Sequence, residues 1–256
     1  MNMETEQRHQ ESQYAFPYHH VVKFSDRSFS HMRDLGWGVE YAAHTTAVLD
    51  TLKHTQFNSL LDVGCGDGKL LFETKKIFAD KILEGVDYSE NAIRFAQAFS
   101  PKLVFHVGDI TDAQTLSGKK YDVITLIEVF EHIPPKARES FVTGLFRLLN
   151  DGGKLIITVP SANTPVHERH YEHFTKETLA KALKSNFAIE ETHFLHMIGV
   201  RSKLIRTLMS NRLFALKQHK TRAALYRYYK KHLLHAKEKT GKNILMAARK
   251  KTEAIV

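Results

Sequence analysis

The sequence predicts an α/β protein built on a doubly wound, mostly parallel sheet, and three observations carry that prediction. From Ser59 onward, short apolar runs alternate regularly with helix-length stretches of helical periodicity. The first run ends in an acid and a glycine-rich turn, Asp62-Val63-Gly64-Cys65-Gly66-Asp67-Gly68. Acids or glycines also stand where the following runs end, at Asp87, at Gly108-Asp109 and at Glu128. Alternation of this kind requires right-handed crossovers, which place the ends of the strands on one edge of the sheet.

In chain order, residues 1–12 are polar, mixed in charge and expected to be disordered. Tyr14 to Trp37 is rich in aromatics and histidine (Phe16, Tyr18, His19, His20, Phe24, Phe29, His31, Trp37) without a clean period. Residues 39–52 then read as a helix with Val39, Ala42, Ala43, Thr46, Ala47 and Leu49 on or near one face. Strands are expected at 59–63, 81–86, 102–107, 121–127 and 154–159, with helices near 69–78, 90–99 and 136–149. Asn150-Asp151-Gly152-Gly153 is a stop for the last of these helices. Thr175 is expected to cap a helix over 175–183, with Thr178 at its fourth position. Residues 187–196 alternate as a sixth strand, and 243–248 form a short apolar seventh.

Composition bounds the function. The chain has 256 residues and an ordinary apolar share of 43%, enough for a sizeable core. No apolar run approaches the length that spans a bilayer, and the first residues do not have the pattern of a signal peptide. A single cysteine excludes an internal disulfide and fits a reducing compartment, so a cytoplasmic location is expected. The formal charge of +9 is unevenly placed: between Arg201 and Lys242 every charged residue but Glu238 is Lys or Arg, and the rest of the chain is net negative. Helical spacing there (Leu204, Ile205, Leu208, Met209, then Leu225, Tyr228, Tyr229, His232) predicts two amphipathic helices.

The turn at Asp62–Gly68 fits a nucleotide-like ligand at the carboxyl end of a strand. It is one residue short of the dinucleotide fingerprint, because Lys69 stands before any further glycine could complete it, and it lacks the spacing of a phosphate-cradling P-loop. Asp62-Val63-Gly64-Cys65-Gly66-Asp67-Gly68 instead resembles motif I of the class I S-adenosylmethionine (AdoMet) methyltransferases. That resemblance implies a Rossmann-like seven-stranded, mostly parallel sheet with an antiparallel last strand, helices on both faces and AdoMet as cofactor. It implies cofactor contacts from Asp62 (the amino group), Gly64, Cys65, Gly66, Gly68, Asp87 (the ribose hydroxyls), Tyr88, Asp109 (the adenine amino group), Ile110 (the ring face) and Glu128. Cys65 itself reads as a small filler rather than a nucleophile. The resemblance divides the chain into a tail and cap segment at 1–55, a core at 56–200 and 243–256, and a basic helical insertion at 201–242. The cap lies over cofactor and substrate in such enzymes; packing on the sheet as an extra layer is the alternative.

After the fourth strand stands Glu128-Val129-Phe130-Glu131-His132-Ile133-Pro134-Pro135. It resembles the E-x-x-E-H of ubiquinone-biosynthesis-type O-methyltransferases and of 2′-O-methyltransferases acting on small-RNA 3′ ends. The resemblance makes His132, Glu128 and Glu131 the catalytic candidates. It also implies a divalent metal (Mg, Mn or Zn) on Glu128, Glu131, His132 and His170, with His167 and His173 as nearby alternatives. Without a metal, His132 is the candidate general base. The expected activity is AdoMet-dependent O-methylation of a small molecule or a lipid- or glycan-linked acceptor. The alternatives are metal-dependent 2′-O-methylation of RNA and a non-catalytic scaffold of the same fold. The basic insertion has three readings: nucleic-acid contact, an anionic membrane surface that holds the protein peripherally, or the outer face of a substrate lid.

Overall fold

A computed structural model describes residues 23–25, 28–30, 35–209, 216 and 218–252, with side chains from residue 38 onward. The expected disorder of residues 1–12, the aromatic cap side chains of Tyr14–Trp37 and residues 210–215 and 217 of the basic segment therefore lie outside the described residues. The elements are β1 (Lys23–Ser25), β2 (Ser28–Ser30), α1 (Leu35–Lys53), β3 (Ser59–Val63), α2 (Lys69–Ile77), β4 (Ile82–Asp87), α3 (Glu90–Phe99), β5 (Val104–Val107), β6 (Tyr121–Ile127), α4 (Arg138–Leu148), β7 (Leu149–Pro160), α5 (Lys176–Leu183), β8 (Phe187–Met197), α6 (Val200–Met209), α7 (His219–His232), β9 (His235–Ala236) and β10 (Gly241–Lys250).

The main sheet has the order β5-β4-β3-β6-β7-β10-β8-β9. Strands β5, β4, β3, β6 and β7 pair in parallel, and β10 runs antiparallel between β7 and β8. The order reverses at β3 and β6, which opens a crevice beyond their carboxyl ends. The sheet has eight strands among the described residues, not seven: the chain leaving α7 adds His235–Ala236 to the outer edge of β8. β1 and β2 form a separate antiparallel pair.

Strand alternation divides the core. Leu61, Ile124, Leu155, Ile157 and Met246 face α4 and α5. Their neighbours Leu60, Val123, Ile156 and Leu245 face α1, α2, α3 and the helices of the basic segment. In α1 the buried stripe is Val39, Ala43, Ala47, Val48 and Leu52, while Ala42, expected on that face, is exposed. The stripe is centred about one position round from the expected one because a second i, i+4 row, His44, Val48 and Leu52, and not Ala42 and Leu49, is buried beside the row Val39, Ala43 and Ala47.

The stop at Asn150–Gly153 takes an unexpected form. Helix α4 ends at Leu148, and β7 begins at once at Leu149. Tyr121 pairs with Leu149 and Val123 with Lys154, so residues 150–153 bulge out opposite Asp122. Asp122 anchors the bulge, accepting from Asn150 Nδ2 at 2.8 Å and from the Asn58 and Ser59 N–H groups at 2.8 and 3.0 Å. Thr175 caps α5 as expected, in a reciprocal box with Thr178.

Candidate active site

A cavity of about 610 Å³ opens at the carboxyl ends of β3, β4 and β6. One end is backbone. The turn after β3 carries Gly64, Gly66 and Gly68 at φ of +70°, +54° and +76°. A Cβ on Gly64 would lie 2.5 Å from Val129 Cγ2, and one on Gly68 would lie 2.7 Å from the Phe105 ring. The turn thus needs glycine for its conformation and again for the packing of its neighbours. Gly64 and Cys65 N–H groups bond back to the Val86 carbonyl at 2.8 and 3.2 Å.

Asp87 sits at the tip of β4, buried, and does more than face the cavity. Its Oδ2 accepts from the Gly66 N–H at 3.0 Å and its Oδ1 from the Ser89 N–H at 2.9 Å. It braces the glycine turn as well as lining the cavity. Ser89 caps α3 by accepting from the Ala92 N–H. Asp62 is buried, and Thr125 Oγ1 donates to it at 2.7 Å. Burial pushes its carboxyl up to about 7, with the Asp87 charge adding to the rise and the Thr125 bond opposing it. Burial also pushes the Cys65 thiol well above its ordinary range, which fits a filler under Gly85 rather than a nucleophile. Tyr88, Asp109 and Ile110 line the same end; Asp109 is exposed and turns its Oδ1 to the Thr111 N–H, while Ile110 is buried.

The other end is made of side chains. Glu128 has φ +55°, a left-handed conformation rare outside glycine. It aims Oε2 at Asn243 Nδ2, 2.9 Å away, and Oε1 toward His44 Nε2 at 3.9 Å. Glu128 Oε1 has no hydrogen-bond partner among the described residues. His44 Nε2 meets Thr158 Oγ1 at 2.9 Å and stacks on His196, whose φ is +58°. His196 Nδ1 meets the Tyr229 hydroxyl at 3.0 Å, and burial holds the ring neutral, pushed down to about 3. Two of the three non-glycine residues with positive φ among those described thus line one cavity.

Beside this end, Glu131, His132 and His170 bring one ligand atom each within 4.8 Å of one another. The neighbouring hydrogen bonds set the tautomers. His132 Nδ1 faces the Arg169 carbonyl at 3.0 Å, so Nδ1 is the donor and Nε2 is the acceptor nitrogen of the neutral ring. His173 Nδ1 donates to the Thr164 carbonyl at 2.9 Å, so its Nε2 accepts from His170 Nδ1 at 2.9 Å, and His170 Nε2 is likewise left with a lone pair. Glu131 Oε2 is buried with no hydrogen-bond partner among the described residues. Burial, reinforced by the Glu128 charge, pushes its carboxyl well up. An orphaned carboxylate oxygen and two imidazole lone pairs fit a divalent cation. His170 is thus the histidine of its stretch that joins the group, His173 is its support, and His167 packs on its ring while its Nδ1 accepts from the Arg169 N–H at 3.3 Å. Glu128 lies outside the group, because its left-handed backbone directs the carboxylate to Asn243 and His44.

Sequence reading missed Glu40, His44, His196, Lys242 and Asn243, all lining the cavity. The faint signals were the i, i+4 spacing of Glu40 and His44 on α1 and the polar end of an otherwise alternating strand at His196.

A family model described as a methyltransferase domain matches residues 29–192, more than half of the chain. The chain belongs to this family, the class I AdoMet-dependent methyltransferases, whose cofactor is AdoMet. It is similar to a ubiquinone biosynthesis O-methyltransferase of Coxiella burnetii, 32% identical over 41% of this chain and 44% of the relative. It is also similar to a carboxy-S-adenosyl-L-methionine synthase of Campylobacter curvus, 30% identical over 39% of this chain and 43% of that one. The chain thus spans under half the length of these two curated relatives. The fold is shared with the N-methyltransferase NodS from Bradyrhizobium japonicum WM9 in complex with S-adenosylhomocysteine (AdoHcy), at TM-score 0.61 and 15% identity over 96% of this chain and 99% of that one. Among the described residues, no helix is long and apolar enough to cross a membrane.

Proposed function

We propose that the protein transfers the methyl group of AdoMet to an oxygen of a polar small molecule or of a lipid- or glycan-linked acceptor. One observation carries this reading: a single cavity is lined at one end by the glycine turn, Asp87 and Asp109, and at the other by Glu128 and His132. AdoMet supplies an electrophilic methyl on a sulfonium; the chain supplies position. Gly64, Gly66 and Gly68 let the backbone approach the cofactor, Asp87 takes the ribose hydroxyls, Asp62 the amino group, and Asp109 and Ile110 the adenine. Cys65 and Tyr88 complete the wall on that side.

At the acceptor end, Glu128 Oε1 and the His44 and His196 rings offer hydrogen-bonding groups that suit hydroxyls. The lone pair on His132 Nε2 fits it to take the proton from the reacting hydroxyl. A divalent cation on Glu131, His132 and His170 would polarise that hydroxyl and orient it. The same group favours a second reading, metal-dependent 2′-O-methylation of RNA. The basic insertion is read as facing an anionic partner, with the protein cytoplasmic and peripheral to that partner.

Incubation with methyl-labelled AdoMet and fractionated extracts of the source cell tests the reading. Label in a polar or lipid-extractable product, lost in Asp87→Ala, is expected. Label confined to RNA would move the assignment to the second reading, and no transfer to any fraction would contradict both.

A further inference from the structure

The basic segment carries a surface that methyl transfer does not use. Helix α6 packs its inner side against the body of the protein: Met209 and Ser202 are buried, Ile205 joins the core under α1, and Arg206 Nη1 pairs with Glu40 Oε1 at 3.0 Å. Its outer side carries an apolar row beside the exposed Thr207. Val200, Leu204 and Leu208 are 84%, 55% and 43% exposed. At about 100° per residue, these three, spaced i, i+4 and i+8, form one stripe roughly 80° wide. The exposed Arg201 stands on one flank of the stripe and the exposed Lys203 on the other. Ile198, just before the helix, is also exposed, and α7 presents exposed Lys220, Arg227 and Lys231.

A stripe of branched apolar side chains flanked by cations is the pattern of a helix lying in a lipid headgroup layer. Phosphates of a nucleic acid would engage the cations but leave Val200, Leu204 and Leu208 facing water. Between Arg201 and Lys237 there is no acid to oppose an anionic surface. The placement matters too, since Glu40, which Arg206 and Lys242 hold, lines the acceptor end of the cavity.

We propose that the outer face of α6 docks on an anionic lipid bilayer, with Val200, Leu204 and Leu208 entering the headgroup layer and the surrounding Lys and Arg binding lipid phosphates. Docking would hold the acceptor end of the cavity at the membrane. This rests on the reading of the basic segment as facing an anionic partner, but not on the identity of the acceptor.

The test is co-sedimentation of the full chain with phosphatidylcholine vesicles containing about 30% phosphatidylglycerol, against pure phosphatidylcholine, at low and high salt. AdoHcy binding by calorimetry serves as the control for folding and for the methyltransferase reading. The wild type is expected to sediment with the anionic vesicles only. A double variant Leu204→Glu and Leu208→Glu, on exposed positions, should lose vesicle binding at least tenfold while binding AdoHcy normally. Arg201→Glu with Lys203→Glu should weaken it by roughly fivefold per cation removed. No sedimentation of an AdoHcy-binding wild type, an unchanged stripe variant, or retention by RNA but not by vesicles would each overturn the proposal. Failure to bind AdoHcy would instead strike the methyltransferase reading.

Discussion

The two ends of the cavity are built in opposite ways. At the cofactor end, local chain does the work: Gly64, Gly66, Gly68 and Asp87 come from two adjacent parallel strands and the turn after one of them. At the acceptor end, side chains gather from distant elements. His44 meets Thr158 across 114 positions, Asn243 meets Glu128 across 115, and His196 leans on Tyr229 of the basic segment. A site made of backbone tolerates little change and varies little in chemistry. One made of converging side chains can be rebuilt for a new acceptor without disturbing the first.

The largest effect should come from breaking the cofactor end. Asp87→Ala leaves the Gly66 and Ser89 N–H groups without their acceptor and removes the ribose contact proposed for this carboxylate. AdoHcy binding should fall below calorimetric detection, with about 1–3 kcal/mol of stability lost for an orphaned buried group. Gly64→Ala should have the same signature, since its Cβ would press on Val129. Retained binding in both would mean that the glycine turn does not hold the cofactor.

Next in size is the junction between the ends. His173→Ala removes the acceptor that fixes the His170 tautomer. Mn²⁺ affinity, read by water-proton relaxation, should drop about 10–100-fold, as for other supporting partners of metal-bound histidine. Wild-type protein that binds no Mn²⁺ or Mg²⁺, and whose activity ignores chelator, would leave Glu131, His132 and His170 as a hydrogen-bonded cluster only.

A smaller effect separates the ends by pH. Asp62 is raised to about 7 in the folded protein from an ordinary 3.8. The native state therefore holds this proton where the unfolded chain has released it. Its contribution to stability is present at low pH and declines as pH rises from about 4 toward 7. A cationic amino group beside it favours the ionised form, so AdoMet affinity should increase from pH 6 to 8, and Asp62→Asn should flatten that rise. A profile unchanged by the substitution would remove Asp62 from the cofactor contacts.

The same contrast explains what was legible in the sequence. Strand–helix alternation and the turn at Asp62–Gly68 are local patterns, so the sheet, most helices and the glycine turn could be read from neighbouring residues. His44 and His196 could not, because a histidine in a helix or strand has no local mark of the partner it will meet. The E-x-x-E-H stretch lies between these cases. Its spacing predicted Glu131 and His132 together, but the left-handed turn at Glu128 that swings this carboxylate to Asn243 leaves no trace in composition. The ninth strand, two residues long, was invisible for a related reason: it exists only because β8 offers it an edge.

The smallest effect lies behind the acceptor end. Tyr229→Phe deletes the hydroxyl that His196 Nδ1 meets and should cost about 0.5–1.5 kcal/mol in thermal unfolding. AdoHcy binding should be unchanged; a loss there would show that the two ends are coupled.

The most direct measurement is a calorimetric titration of the wild-type chain with AdoMet and AdoHcy, repeated on Asp87→Ala. One cofactor per chain, bound by the wild type and lost in the variant, is the expected result. No heat with either ligand, or equal binding by both proteins, would contradict the assignment of this cavity as a methyl-donor site.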